Sequence, residues 1–330
     1  MKKMRILVTG AAGFIGSHTV ERLLERGDEI VGLDDFNDYY DPNIKRWNIR
    51  RAQGMRGFTL IHGDIRDHEM VHRILENNRF DAIIHLAARA GVRPSLQNPV
   101  LYETANVTGL LNLLEASVKH GKPYFVFASS SSVYGISPRL PWREDDPVDC
   151  PISPYAITKR SGELLCHSYA HVHGLQTCSL RFFTVYGPRQ RPEMAIAKFF
   201  RAILQDEPVT IYGDGSALRD FTYIDDIVDG VVAAVDRPCR AEIVNLGGAH
   251  KAKVIDLIEL IGKITMKSPK IQFLPEQAGD VPVTWADTAK AERLFGKSRS
   301  TGLEAGLRNY YKWLQEHHQV LGYSGLALGR

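Results

Sequence analysis

An apolar run at residues 5–8 passes directly into Thr9-Gly10-Ala11-Ala12-Gly13-Phe14-Ile15-Gly16, and a segment with helical periodicity follows from about residue 14. Glycines at this spacing between a strand and a helix allow a tight turn. They also let backbone amides approach a pyrophosphate at the helix N-terminus, where the dipole favours negative charge. The next strand-like run, 30–33, ends in Asp34. A carboxylate there can accept from an adenosine ribose hydroxyl and repel a 2′-phosphate, so the pair of features points to NAD rather than NADP. Gly10, Gly13, Phe14, Ile15, Gly16 and Asp34 are therefore candidate cofactor residues, and Asp64-Ile65, just past the third strand, is placed to contact adenine.

The loop sits in a larger rhythm. Short apolar runs at 5–8, 30–33, 58–61, 82–85, 124–127 and 177–180 alternate with helix candidates near 14–26, 67–77, 98–120 and 154–173. Strands apolar on both faces, separated by helices, are those of a parallel sheet covered on both sides. The expected fold is α/β, a Rossmann-type doubly wound parallel sheet with a smaller α/β lobe. Residues 1–180 would form the NAD-binding domain, with segments near 225–248 returning to it, and 181–330 mainly the lobe. A helix at 225–235 and strands at 242–245 and 271–274 are expected in that second part.

Composition removes other classes. The 330 residues are 44% hydrophobic and 24% charged, with a formal net charge of +3. That balance excludes a disordered or fibrous chain and a nucleic-acid binder held mainly by phosphate attraction. No run approaches the ~18 apolar residues of a membrane span. The start, Met1-Lys2-Lys3-Met4, imitates a secretory signal, but the glycines at 10, 13 and 16 interrupt it, so it reads as the first strand. Cys150, Cys166, Cys178 and Cys239 lack paired short spacings, which suits reduced thiols in the cytoplasm.

Tyr155-Ala156-Ile157-Thr158-Lys159 places a phenol and an ammonium on one helical face. A nearby cation favours the phenolate that a tyrosine must become to serve as a base. Ser153-Pro154 supplies an N-cap and a proline for the first turn of that helix. The strand at 124–127 leads into Ala128-Ser129-Ser130-Ser131-Ser132-Val133-Tyr134-Gly135, which puts hydroxyls at the carboxyl edge of the sheet, where such folds bind ligands.

These motifs, with His85-Leu86-Ala87-Ala88 and Arg219-Asp220-Phe221-x-Tyr223-Ile224-x-Asp226, resemble the extended short-chain dehydrogenase/reductase superfamily, and within it the NAD-dependent nucleotide-sugar epimerases and dehydratases, over essentially the whole chain. The resemblance implies Tyr155 as acid/base, Lys159 on the nicotinamide ribose, and Ser130 on the reacting sugar hydroxyl. It implies Leu86, Ala87, Ala88, Asn106, Ser129 and Phe182 around NAD, and Arg219 and Asp280 on the substrate's diphosphate and ribose. It also implies a homodimer joined through the helices at 98–120 and 154–173. Where dehydratases carry an Asp-Glu pair this chain has Ser131-Ser132, so an elimination lacks its proton carriers and isomerisation is favoured.

The segments Arg181-Phe182-Phe183-Thr184-Val185-Tyr186-Gly187-Pro188-Arg189-Gln190-Arg191-Pro192-Glu193-Met194 and Ala90-Gly91-Val92-Arg93-Pro94-Ser95 resemble those of UDP-glucuronate 4-epimerases. That implies a UDP-sugar bearing a carboxylate, interconverted between UDP-glucuronate and UDP-galacturonate. A guanidinium suits this carboxylate: Arg191 with Thr184 and Ser132 is the expected clamp and Arg93 the alternative. UDP-hexose 4-epimerases and UDP-glucuronate decarboxylases are the neighbouring readings, and a non-catalytic NAD-binding module the reading of another class. Gln277 stands where galactose-type epimerases have an arginine, which shifts phosphate binding toward Arg219. No metal is expected: His167 and His171 have a zinc-compatible spacing but no third ligand, and read as a solvated helix face. The basic run Lys45, Arg46, Arg50, Arg51 and Arg56 reads the same way, with Trp47 as packing.

Overall fold

The computed structural model describes residues 3–248, 250–276, 279–296 and 300–321. Its first six strands are β1 (Arg5–Thr9), β2 (Glu29–Asp34), β3 (Phe58–His62), β4 (Ala82–His85), β5 (Tyr124–Ser130) and β6 (Thr177–Phe182). Six more follow: β7 (Thr184–Tyr186), β8 (Val209–Tyr212), β9 (Leu218–Tyr223), β10 (Glu242–Leu246), β11 (His250–Lys253) and β12 (Ile271–Leu274). The central sheet has the order β10-β6-β5-β4-β1-β2-β3, and all its pairings are parallel.

Both faces of this sheet are dry, as the apolar runs require. Ile6 and Val8 pack on one face with Ile30, Ile84, Val126 and Leu180. Leu7, between them, points into a separate core with Val31, Leu33, Ile83 and Phe125. The period of two thus feeds two cores, each covered by helices. This is a Rossmann-type fold, and its strand order reverses between β1 and β4, the place where such sheets open a crevice at their carboxyl ends. The helix Ile224–Asp236 packs against the helix Phe14–Arg26 on one side, and β10 then joins the sheet edge beside β6.

The remaining strands form two small sheets, β11-β9-β7 and the parallel pair β12-β8. The first of them springs from the carboxyl end of the large sheet, because β7 begins two residues after β6 ends.

The stretch expected as one helix over 98–120 is segmented. Helical turns at Pro99–Glu103 and Gly109–Lys119 flank a π-helical turn, Thr104–Thr108. Its Asn106 Oδ1 accepts from Arg89 N at 2.7 Å, while Nδ2 donates to Arg89 O and to Thr158 Oγ1. The wider turn lets this amide reach the neighbouring loop, a use often made of π turns at functional sites. Of the basic run, Lys45 is buried at 5% exposure rather than solvated; its ammonium lies over the Tyr40 ring. Trp47 packs edge-on against Trp313. No helix among the described residues is long and apolar enough to cross a membrane.

Candidate active site

A single cleft runs along the carboxyl edge of the sheet from the glycine loop to Arg219 and Asp280. At one end, Gly10 turns with φ +69, and a Cβ there would stand 2.7 Å from Ala87 N. A Cβ on Gly16 would meet Gly10 O at 2.0 Å, so the helix can seat against the turn only without a side chain. Gly13 caps the helix Phe14–Arg26 with no side-chain hydrogen bond, and its first turn holds no acidic residue. The leading amides are therefore left for an anion. Asp34 closes this cradle: Oδ2 accepts from Ala12 N at 3.0 Å and Oδ1 from Phe36 N at 2.9 Å. Burial pushes its carboxyl above the ordinary range, opposed by Lys45 and these two amides. The loop, Phe14, Ile15, Asp34, Leu86, Ala87 and Ala88 all line the cleft, an arrangement that fits a dinucleotide.

Asp64 and Ile65 lie on the same wall. Asp64 is engaged by Arg66, whose Nε and NH2 donate to Oδ2 at 2.9 and 2.5 Å. Burial would raise that carboxyl, but these bonds hold it below its usual value.

In the middle of the cleft, the helix Pro154–His173 begins at Ser153, whose side chain accepts from Ala156 N. The cap sets Tyr155 in the first turn and Lys159 one turn on. Burial pushes the Tyr155 phenol up, while a hydrogen bond with Ser130 and the charge of Arg191 pull it down. Lys159 Nζ donates to Ala128 O at 2.7 Å, and its ammonium lies 5.9 Å from the Tyr155 ring centre. Burial brings that ammonium down to about 7. Ser132 Oγ donates to Ser130 Oγ at 3.0 Å, which orients the hydroxyl beside the phenol. Ser130, Ser132, Tyr155, Lys159, Phe182 and Thr184 thus share one chamber.

Beneath it lies a group the sequence did not single out. Glu163, one turn after Lys159, accepts from Ser129 Oγ at 2.6 Å and takes Arg181 in a fork, Nε to Oε1 at 2.8 Å and NH2 to Oε2 at 2.9 Å. Both are almost wholly buried, and Arg181 lies over the Tyr134 ring at 4.7 Å. The network ties the helix to the ends of β5 and β6.

Two expected residues stand back from the lining. Asn106 is 2% exposed and spends its amide on Arg89 and Thr158. Arg93 pairs with Asp280 at 2.8 Å and stacks on Tyr212. Arg191, by contrast, lines the cleft with Tyr39, Tyr40 and Met194, and so does Arg219. Burial lowers the Arg219 guanidinium, partly offset by Asp280. Gln277 lies outside the described residues. Tyr39 and Tyr40 had no motif to mark them; an aromatic pair in the loop after an acidic strand end was the available signal. His167 and His171 are exposed, and among the described residues no cluster suits a metal.

The sequence model of the NAD dependent epimerase/dehydratase family matches residues 6–247. A UDP-glucuronate 4-epimerase of Thermodesulfobacterium geofontis is 43% identical over 317 residues, covering 96% of this chain and 97% of that protein. The crystal structure of UDP-glucuronic acid 4-epimerase from Bacillus cereus in complex with UDP-glucuronic acid and NAD superposes with a TM-score of 0.90 at 39% identity, covering 95% and 99% of the two chains. A UDP-glucose 4-epimerase of Thermotoga maritima with UDP-glucose gives 0.89 at 34% identity, covering 96% and 100%.

Proposed function

The chain belongs to the NAD dependent epimerase/dehydratase family, and from that premise we propose that it interconverts UDP-glucuronate and UDP-galacturonate at C4. It is an NAD-dependent nucleotide-sugar epimerase. The observation that carries the substrate is the near full-length likeness to UDP-glucuronate 4-epimerases, one of them solved with UDP-glucuronic acid and NAD.

Bound NAD+ supplies the acceptor and donor of hydride for the sugar's C4. The chain's own work is proton transfer and positioning. Tyr155, as phenolate, takes the C4 hydroxyl proton; Lys159 favours that form, and Ser130 holds the oxygen. The 4-keto sugar then turns within the chamber so that hydride would return to the opposite face of C4, and Tyr155 gives the proton back to the same oxygen. Ser131 and Ser132 occupy the place of carboxylates that an elimination would use, so water is not lost. Arg219 and Asp280 are assigned to the diphosphate and ribose, with Arg93 fixing Asp280 at the rim. Arg191, helped by Thr184 and Ser132, is assigned to the sugar carboxylate.

Residues 1–180, with 225–248, are assigned to the cofactor and the rest of 181–330 mainly to the nucleotide sugar. A homodimer through the helices of 98–120 and 154–173 is supported by Val100, Ile157 and Leu164, apolar and 70%, 51% and 53% exposed there. A cytoplasmic setting is supported by the four free cysteines.

Incubating pure protein with UDP-glucuronate and separating the products tests the proposal. UDP-galacturonate is expected; a UDP-pentose alone, or action confined to UDP-glucose, would overturn it. For the cofactor, Asp34→Ala is expected to narrow the preference for NAD over NADP by at least about tenfold, the worth of one charged hydrogen bond. Titration of both dinucleotides checks this, and an unchanged ratio would make Asp34 a tie for Ala12 and Phe36 only.

A further inference from the structure

Arg191 does not stand alone in the cleft wall. Its Nε donates to Glu193 Oε1 at 2.5 Å, and its guanidinium lies 5.9 Å from the centre of the Tyr39 ring. The two residues flank Pro192 in a turn closed by Met194 N donating to Arg191 O at 3.1 Å. Proline at the second position of such a turn fixes the backbone that brings the two side chains together. Arg191 lines the cleft and Glu193 does not, so the carboxylate reaches it from behind. Glu193 Oε2 is buried without a hydrogen-bond partner among the described residues. The contact is therefore end-on, through Nε alone. Among the described residues the two terminal nitrogens of Arg191 make no hydrogen bond.

We propose that Glu193 is a positioning residue for the sugar carboxylate: it grips Arg191 at Nε from outside the cleft and so fixes the fork of terminal nitrogens that meets the substrate. The inference rests on the assignment of Arg191 to that carboxylate. A guanidinium offers five donors, and carboxylate recognition needs two parallel ones. Holding Nε on Glu193, with the Tyr39 ring as a second restraint, leaves the NH1/NH2 edge to present.

The reaction makes rigidity matter. Oxidation at C4 turns a glucuronate into a β-keto acid. If its C5–C6 bond stands across the plane of the C4 carbonyl, that bond breaks, CO2 leaves, and its electron pair passes to the carbonyl oxygen as an enolate. A proton from water then adds at C5, giving a UDP-4-keto-pentose. A fork that wanders lets C6 reach that geometry, while a fixed one keeps it near the carbonyl plane.

The experiment compares Glu193→Ala, Glu193→Gln and Arg191→His, with products separated by mass, kcat and KM measured for UDP-glucuronate, and bound NAD and UDP affinity as controls on folding. Glu193→Ala is expected to lower kcat on the order of tenfold to a hundredfold, the cost of a slightly misplaced group. KM should change less, and the fraction of pentose product should rise at least about tenfold while NAD content and UDP affinity stay at parental values. Glu193→Gln keeps an oxygen for Nε and is expected to restore the parental product ratio. Parental kcat and product ratio in Glu193→Ala, with CO2 loss in Arg191→His, would overturn the role of Glu193 and leave Arg191 in place. Parental products in both would overturn the Arg191 assignment as well. A Gln variant as impaired as the Ala variant would contradict a grip through Nε.

Discussion

Tyr155→Phe is expected to bind NAD and the UDP-sugar as the parent does and to lose about 10²–10⁴ of its turnover, the usual worth of a general acid/base. The phenyl ring keeps the shape that packs edge-on against Tyr102, whose ring centre lies 6.2 Å away. What disappears is the one oxygen that Ser130 bonds and that the charge of Arg191 favours as phenolate. Bound NAD measured after denaturation, UDP affinity by calorimetry and kcat by product separation check the three parts. Turnover within about tenfold of the parent would remove Tyr155 from the role of base.

Glu163→Ala is expected to destabilise the protein by about 3–5 kcal/mol, because it leaves the Arg181 guanidinium buried without its counter-charge. The pair is 0% and 1% exposed at the two side chains, so water cannot take the place of the missing carboxylate. Arg160 and Ser129 lose the same partner. The damage should extend to catalysis, since the network holds the helix bearing Tyr155 and Lys159 against the strand that ends in Ser130. Denaturant unfolding of the cofactor-free protein measures the loss. A value under about 1 kcal/mol, within the range of an exposed ion pair, would contradict a structural role for the network.

How much of this was readable beforehand follows from the physics of each element. The parallel strands were legible because burial on both faces forces continuous apolar runs, and the glycine loop because backbone crowding at Gly10 and Gly16 admits nothing else. The segment 98–120 read as one helix because a π turn leaves no mark in hydrophobic periodicity; only the contacts of Asn106 explain it. Lys45 read as solvated because its neighbours in sequence are, whereas its burial is set by Asp34, Asp35 and Tyr40 meeting it in space. Glu163 hid for a similar reason: one carboxylate on a helix face is ordinarily a surface residue, and its partner Arg181 comes from a strand 18 residues away. Arg191 could be nominated from the chemistry of a carboxylate substrate, but the hand of Glu193 on its Nε required the turn to be seen.

Oxidation and re-reduction of C4 within one chamber, with Tyr155 moving the proton, leave their mark on the hydrogen that C4 carries. The most direct test gives the protein UDP-glucuronate bearing deuterium at C4 and follows the label into product. UDP-galacturonate with deuterium still on C4 and no more than traces of pentose is expected. UDP-galacturonate with protium at C4, or a pentose nucleotide as the main product, would contradict it.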